Sequence, residues 1–183
     1  MKSSLEEKTL LYKVQTEQSA DAFAVLYDQY AKSIYRFVYF KLSHQQEAED
    51  VTGNIFLKCW QYLMSAKGKE IRNFKSLLYT IARHEVIDVY RERAKRKECS
   101  VHSIGDVSDG GNTKARFEAN EDVGRLLVAI KKLKQEYQEV VLFRYVEEFS
   151  IPEIALIMGK NQINVRVTLH RALKKLQEFS STL

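Results

Sequence analysis

One proline and seven glycines in 183 residues are too few for the closely spaced tight turns that an all-β fold needs. The two cysteines, Cys59 and Cys99, stand far apart with no CxxC spacing, which argues against a zinc site and against a disulfide framework. No apolar run approaches the roughly 20 residues of a membrane span, and the N-terminal MKSSLEEKTLLYK lacks the apolar core of a signal peptide. The expectation is a cytoplasmic protein with no membrane insertion. Catalytic signatures are also missing. His44, His102 and His170 have no partner pattern, His84 and Asp88 supply two ligands at most, and no phosphate loop, nucleophile elbow or HExxH motif occurs. No catalytic residue, metal or cofactor is expected, and the chain is not read as an enzyme.

What the sequence does hold is Leu, Glu, Lys, Gln and Ala at helical spacing, 45% hydrophobic residues and a net charge of +5. An all-α fold follows. From Asp21, Phe23, Leu26, Tyr27, Tyr30, Ile34, Phe37, Val38 and Leu42 mark one face of a long helix. A second pattern opens at Glu47, where Val51, Ile55, Phe56, Trp60 and Leu63 share the inner face and the opposite face is polar. The polar MSAKGKEIRN, Met64 to Asn73, reads as a loop, and a third helix runs from Phe74 to about Arg93 with Phe74, Leu77, Leu78, Ile81 and Ile87 inward. Residues 94–120 are rich in Gly and Ser with little periodicity and read as a flexible linker. The expected division is therefore two small helical domains, 1–93 and 121–183, joined by a linker over 94–120. Within the second, Leu126, Leu127, Ile130 and Leu133, then Val140, Val141, Phe143 and Tyr145, continue the helical pattern.

The sharpest signal is FSIPEIALIMGKNQINVRVTLHRALKKL, Phe149 to Leu176. Ser150 can cap a helix whose first turn tolerates Pro152 and whose Glu153 completes a capping box. Gly159 permits a left-handed turn before a second helix, which makes a helix-turn-helix. In that second helix Val165, Leu169, Ala172, Leu173 and Leu176 form the buried stripe. Asn164, Val167, His170, Arg171 and Lys174 point outward with Arg166 at the border. Five basic residues and no acidic one lie between Lys160 and Lys175. Such a helix suits a DNA groove, its early side chains reaching base edges and its later cations meeting phosphate. A plain αα-hairpin with a solvated basic face is the alternative. Arg91, Arg93, Lys95, Arg96 and Lys97, against the single acid Glu92, either follow phosphates or complement a helix C-terminus.

EIALIMG followed by VRVTLHRALKKL resembles the C-terminal domain of RNA polymerase sigma factors of the extracytoplasmic-function (ECF) group. AEDV with FLKCW resembles that family's polymerase-clamp helix, and NFKSLLYTIARHEVIDVYRER resembles the helix where the minus-ten element is read and melted. The resemblance implies that Glu47, Asp50, Asn54, Lys58 and Gln61 form a polymerase-binding stripe, with Phe56 and Trp60 in the core. It implies that the loop before the third helix captures an everted promoter base, which assigns Lys69, Arg72 and Asn73, with Arg91, to DNA. It further implies a C-terminal domain for the minus-thirty-five element, core RNA polymerase and promoter DNA as partners, and an anti-sigma protein. Gly53-Asn54 stands where family members usually show Gln-Glu, Leu77 replaces a usual Trp and His84 a usual Asn. Glycine in a helix interior costs roughly 1 kcal/mol.

The function expected is promoter recognition and DNA melting for transcription initiation. The alternatives are a stand-alone helix-turn-helix regulator, which co-purification with core polymerase would separate, and a decoy on the same fold, which would bind polymerase without starting transcripts.

Overall fold

The computed structural model describes residues 2–66, 69–100 and 121–180, and among them every regular element is helical. The chain divides into two compact units, Met1–Gly111 and Asn112–Leu183.

The first unit packs α1 (Lys2–Glu17), α2 (Ala20–Leu42), α3 (Gln45–Ser65) and α4 (Phe74–Ser100) around one core. Ser19 caps α2 by accepting from Ala22 N at 3.2 Å, and His44 caps α3 by accepting from Glu47 N at 3.3 Å. Between them Ser43 turns the chain at φ 60°, which separates the two helices where the apolar pattern restarts. Leu26, Ile34, Ile55, Leu63, Phe74, Leu78 and Tyr79 are all buried, each contributing about 1.5–3 kcal/mol by leaving water. The Phe37 and Tyr79 rings meet edge to face at 5.6 Å.

Three expectations change here. Helix α1 lies ahead of the first expected helix, burying Leu11 and Val14 and joining α2 through a hydrogen bond from the Tyr30 hydroxyl to Glu7. The inner face of α4 is set by Phe74, Leu78, Tyr79, Ala82 and Val86, whereas Leu77, Ile81 and Ile87 are only partly covered. Finally, α4 runs on to Ser100, so the first residues assigned to the linker are helical; residues 101–120 lie outside the described residues. Just before that extension Arg93 ties α4 to its neighbours, its guanidinium reaching back to Leu42 O at 3.5 Å and to Glu47.

The second unit contains α5 (Glu121–Lys131), α6 (Gln135–Val141), a π-helical turn (Leu142–Val146), α7 (Ile151–Met158) and α8 (Gln162–Ser180). Ile130, Leu133, Val140, Phe143, Ile154, Ile157, Val165 and Ala172 build its core, with the Phe143 and Phe149 rings 6.0 Å apart. Leu126 and Tyr145, expected to continue the helical pattern, are exposed. Tyr145 falls in the π-helical turn, whose wider winding breaks the 3.6-residue register.

Candidate nucleic-acid interface

Helix α7 opens as its sequence dictates: the Glu153 carboxylate accepts from the Ser150 backbone N–H at 2.7 Å and from its hydroxyl at 2.5 Å. Pro152 sits in the first turn, where no backbone donor is needed. Gly159 closes the helix at φ +63°, with its N–H on Leu156 O at 3.2 Å and the Lys160 N–H on Ala155 O at 2.9 Å. A Cβ here would touch nothing within 4 Å, so the need for glycine lies in the left-handed backbone and not in space. Asn161 then caps α8 by accepting from Asn164 N at 2.8 Å.

Helix α8 buries Val165, Thr168 and Ala172 and turns Asn164, Arg166, Val167, His170, Arg171 and Lys174 to solvent. All six assigned residues thus share one exposed surface. At about 100° per residue, Val167, His170 and Lys174 run down its centre while Asn164 and Arg166 flank it. Ile163, 69% exposed, sits one turn ahead of Val167 on the same line. The sequence reading missed it, although its place four residues before Val167 was visible.

Two of the five basic residues are spoken for. Lys160 lies 2.5 Å from Glu136 of α6, which also accepts from the Thr168 hydroxyl at 3.2 Å. Lys175 lies 2.7 Å from Glu178, a hydrogen bond that raises the ammonium pKa. Arg166, Arg171 and Lys174 remain as the exposed cations of that face.

In the first unit, Glu47, Asp50, Asn54, Lys58 and Gln61 fall along one stripe of α3, all exposed except the partly covered Glu47. Glu47 is bonded to Arg93, and Lys58 lies 2.5 Å from Glu85 of α4. A Cβ on Gly53 would meet nothing within 4 Å, so the departure at this site is conformational and crowds no neighbour. Phe56 is buried as expected. Trp60 is not: it is partly exposed and lines an open apolar hollow with Ala20, Phe23, Tyr27, Phe56 and Leu57. Its ring meets that of Phe23 edge to face at 5.0 Å. Leu57, 54% exposed, borders both this hollow and the polar stripe; it had been passed over as an ordinary helix residue.

In the loop before α4, Lys69 and Arg72 are exposed, while Asn73 spends its side-chain oxygen capping α4 on Ser76 N at 2.8 Å. Lys67 and Gly68 lie outside the described residues. Arg91 is exposed and pairs with Asp88 at 3.1 Å, so Asp88 partners Arg91 and not His84. Arg96 stands 3.7 Å from Glu92. With Arg93 turned onto Glu47, the basic cluster is largely a set of intrahelical pairs and one interhelical strut, which leaves less positive charge for a ligand than the residue count suggests.

Comparison with known proteins places these features in order. The Sigma-70 region 2 family model matches residues 26–96, and the Sigma-70, region 4 model matches residues 124–176. The ECF RNA polymerase sigma factor BldN of Streptomyces coelicolor is 32% identical over 86% of this chain, which spans only 60% of that protein's length. The RNA polymerase sigma factor YlaC of Bacillus subtilis is 30% identical over 86% of this chain and 91% of its own. In fold, the chain is similar to the sigma factor RpoE of Bartonella quintana, solved with the anti-sigma factor NepR. The TM-score is 0.72 at 21% identity, over 87% of this chain and 96% of that one. A stand-alone helix-turn-helix regulator has no place for the region 2 match over the first unit. With both regions present in order, and relatives matched across most of its length, the chain belongs to the RNA polymerase sigma factors of the ECF group.

Proposed function

We propose that the first unit docks on core RNA polymerase through Asp50, Asn54, Lys58 and Gln61 of α3, with Glu47 at the head of the stripe and the hollow around Trp60 beside it. Lys69, Arg72 and Asn73 before α4, with Arg91, engage the minus-ten strands. Loop backbone suits this because no helical ladder occupies its polar groups, and an everted base needs cations and hydrogen-bonding partners. The outward face of α8 reads the minus-thirty-five duplex: Asn164, Arg166 and Val167 at base edges, His170, Arg171 and Lys174 toward phosphate.

The observation that carries this reading is the exposed surface of α8, free of acids from Gln162 to Lys175, presented by a capped helix-turn-helix. Bond making on RNA belongs to the polymerase, and the chain acts as an initiation factor in the cytoplasm. Among the described residues no helix is long and apolar enough to cross a membrane, and RpoE of similar fold is solved with an anti-sigma factor. The RpoE complex supports a protein partner of that class.

Run-off transcription with core enzyme and promoter templates tests the reading. Template-specific transcripts that require the chain are expected. Polymerase binding without transcripts would favour the decoy, and DNA binding without polymerase binding would favour the stand-alone regulator.

A further inference from the structure

The loop between α3 and α4 is tied at both ends by side chains, and one of the two comes from an element outside the loop. At its exit Asn73 caps α4. At its entry the carboxamide of Gln15, a buried residue of α1, donates to Ala66 O at 3.0 Å and to Lys69 O at 3.2 Å. Both protons of one amide are thus spent on two main-chain carbonyls three residues apart. The Ala66 carbonyl also accepts from Lys69 N at 3.0 Å.

Ala66 follows the last turn of α3, where helix carbonyls have no partner within the helix. A Gln amide offers two donors while remaining uncharged in a buried position. Leu11 and Val14 are buried on the same helix and anchor α1 independently of this amide, so the packing of the unit does not depend on it. What does depend on it is the single geometry of the segment that leads to Arg72 and Asn73.

We propose that Gln15 is a positioning residue for base selection at the minus-ten element: it fixes the loop from which Lys69, Arg72 and Asn73 engage the promoter strand. This rests on the loop assignment made above. Without Gln15 the Ala66 carbonyl keeps only Lys69 N and the Lys69 carbonyl turns to water, the loop samples several conformations, and selection at the captured base falls although the unit stays folded.

The test uses holoenzyme assembled from core polymerase and the full-length chain, as wild type, Gln15→Met (equal length, no donor) and Gln15→Glu (equal shape, an acceptor facing two acceptors). Promoter opening is read by permanganate-reactive thymines on templates randomised across the minus-ten element, beside core-polymerase affinity, minus-thirty-five duplex binding and helical content. Both variants are expected to lose about tenfold of their discrimination at one minus-ten position, the scale of two neutral hydrogen bonds, with the other three measurements unchanged. Selection equal to wild type in both variants overturns the proposal. So does parallel loss of helical content and core affinity in both, because Gln15 is then only a packing residue. A wild-type holoenzyme that binds core enzyme yet selects no minus-ten base overturns the loop assignment instead, and this proposal with it.

Discussion

The carboxylate of Glu136 lies 2.5 Å from the ammonium of Lys160, joining α6 to the turn of the helix-turn-helix. The same carboxylate accepts from the Thr168 hydroxyl of α8 at 3.2 Å, so one acid holds both the turn and the recognition helix. Their side chains are 31% and 44% exposed for Lys160 and Glu136, and screening limits such a pair to about 0.5–1 kcal/mol.

Glu136→Ala should therefore lower the stability of the C-terminal unit by no more than about 1 kcal/mol while loosening the recognition helix. Its affinity for non-specific DNA should not fall, since a negative charge is removed, but its preference for the minus-thirty-five element should. Competition binding checks this; equal loss of specific and non-specific affinity would show that Glu136 supports the fold and has no part in orientation.

Arg166 flanks the start of the exposed α8 face and Lys174 lies two turns on. A bidentate arginine contact to guanine gives about 1–3 kcal/mol of discrimination, whereas a phosphate contact gives none. Arg166→Ala should relax preference at one base pair of the minus-thirty-five element. Lys174→Ala should weaken all sequences alike and lower the salt slope by about 1. Binding to a randomised element at several salt concentrations separates them, and uniform weakening by both reduces Arg166 to a phosphate anchor.

Asp50 is exposed on α3, and Trp60 opens into the apolar hollow bounded by Phe23 and Leu57. Reversing a contact charge with Asp50→Arg should weaken polymerase binding without unfolding the unit. Trp60→Ala removes a partly exposed ring, so its cost should fall below the roughly 3–5 kcal/mol of a fully buried Trp truncation. Trp60→Ala too should leave a folded protein with reduced core affinity. Circular dichroism with competition for core enzyme measures both, and normal binding by either folded variant removes that residue from the interface.

Burial pushes the Cys59 thiol up from 9.0 to about 12. The folded state then keeps its proton where the unfolded chain has lost it, so stability is fully present below pH 9 and declines as pH rises toward 12. Tyr30 adds in the same direction from 10.0, raised first by burial and then by its hydrogen bond to Glu7. Urea midpoints should hold from pH 7 to 9 and drop by pH 11, with a shallower drop in Cys59→Ala. In a Cys99→Ser background the remaining thiol should react with Ellman's reagent at pH 8 only on unfolding. Rapid reaction in native buffer contradicts the burial.

Gly159, Ser150, Glu153 and Pro152 were legible as a helix-turn-helix because each acts within one turn of its own backbone. The stripes of α3 and α8 were legible for a related reason: helical periodicity assigns every residue a direction, and Asp50, Gln61, Arg166 and Lys174 point where the pattern sends them. Helix α1 escaped that logic. Its buried set of Leu11, Val14 and Gln15 includes a glutamine that no apolar pattern counts as core, and its role depends on carbonyls more than fifty residues away. The same limit applied to the charges. Lys58 with Glu85, Arg93 with Glu47 and Lys160 with Glu136 are separated by 27, 46 and 24 residues, so the sequence counted cations that the fold had already neutralised. Periodicity gives a side chain its direction but not its neighbour; only the tertiary packing of α1 and α4 on α3 and of α6 on α8 decided which polar groups are struts and which are left to meet a ligand.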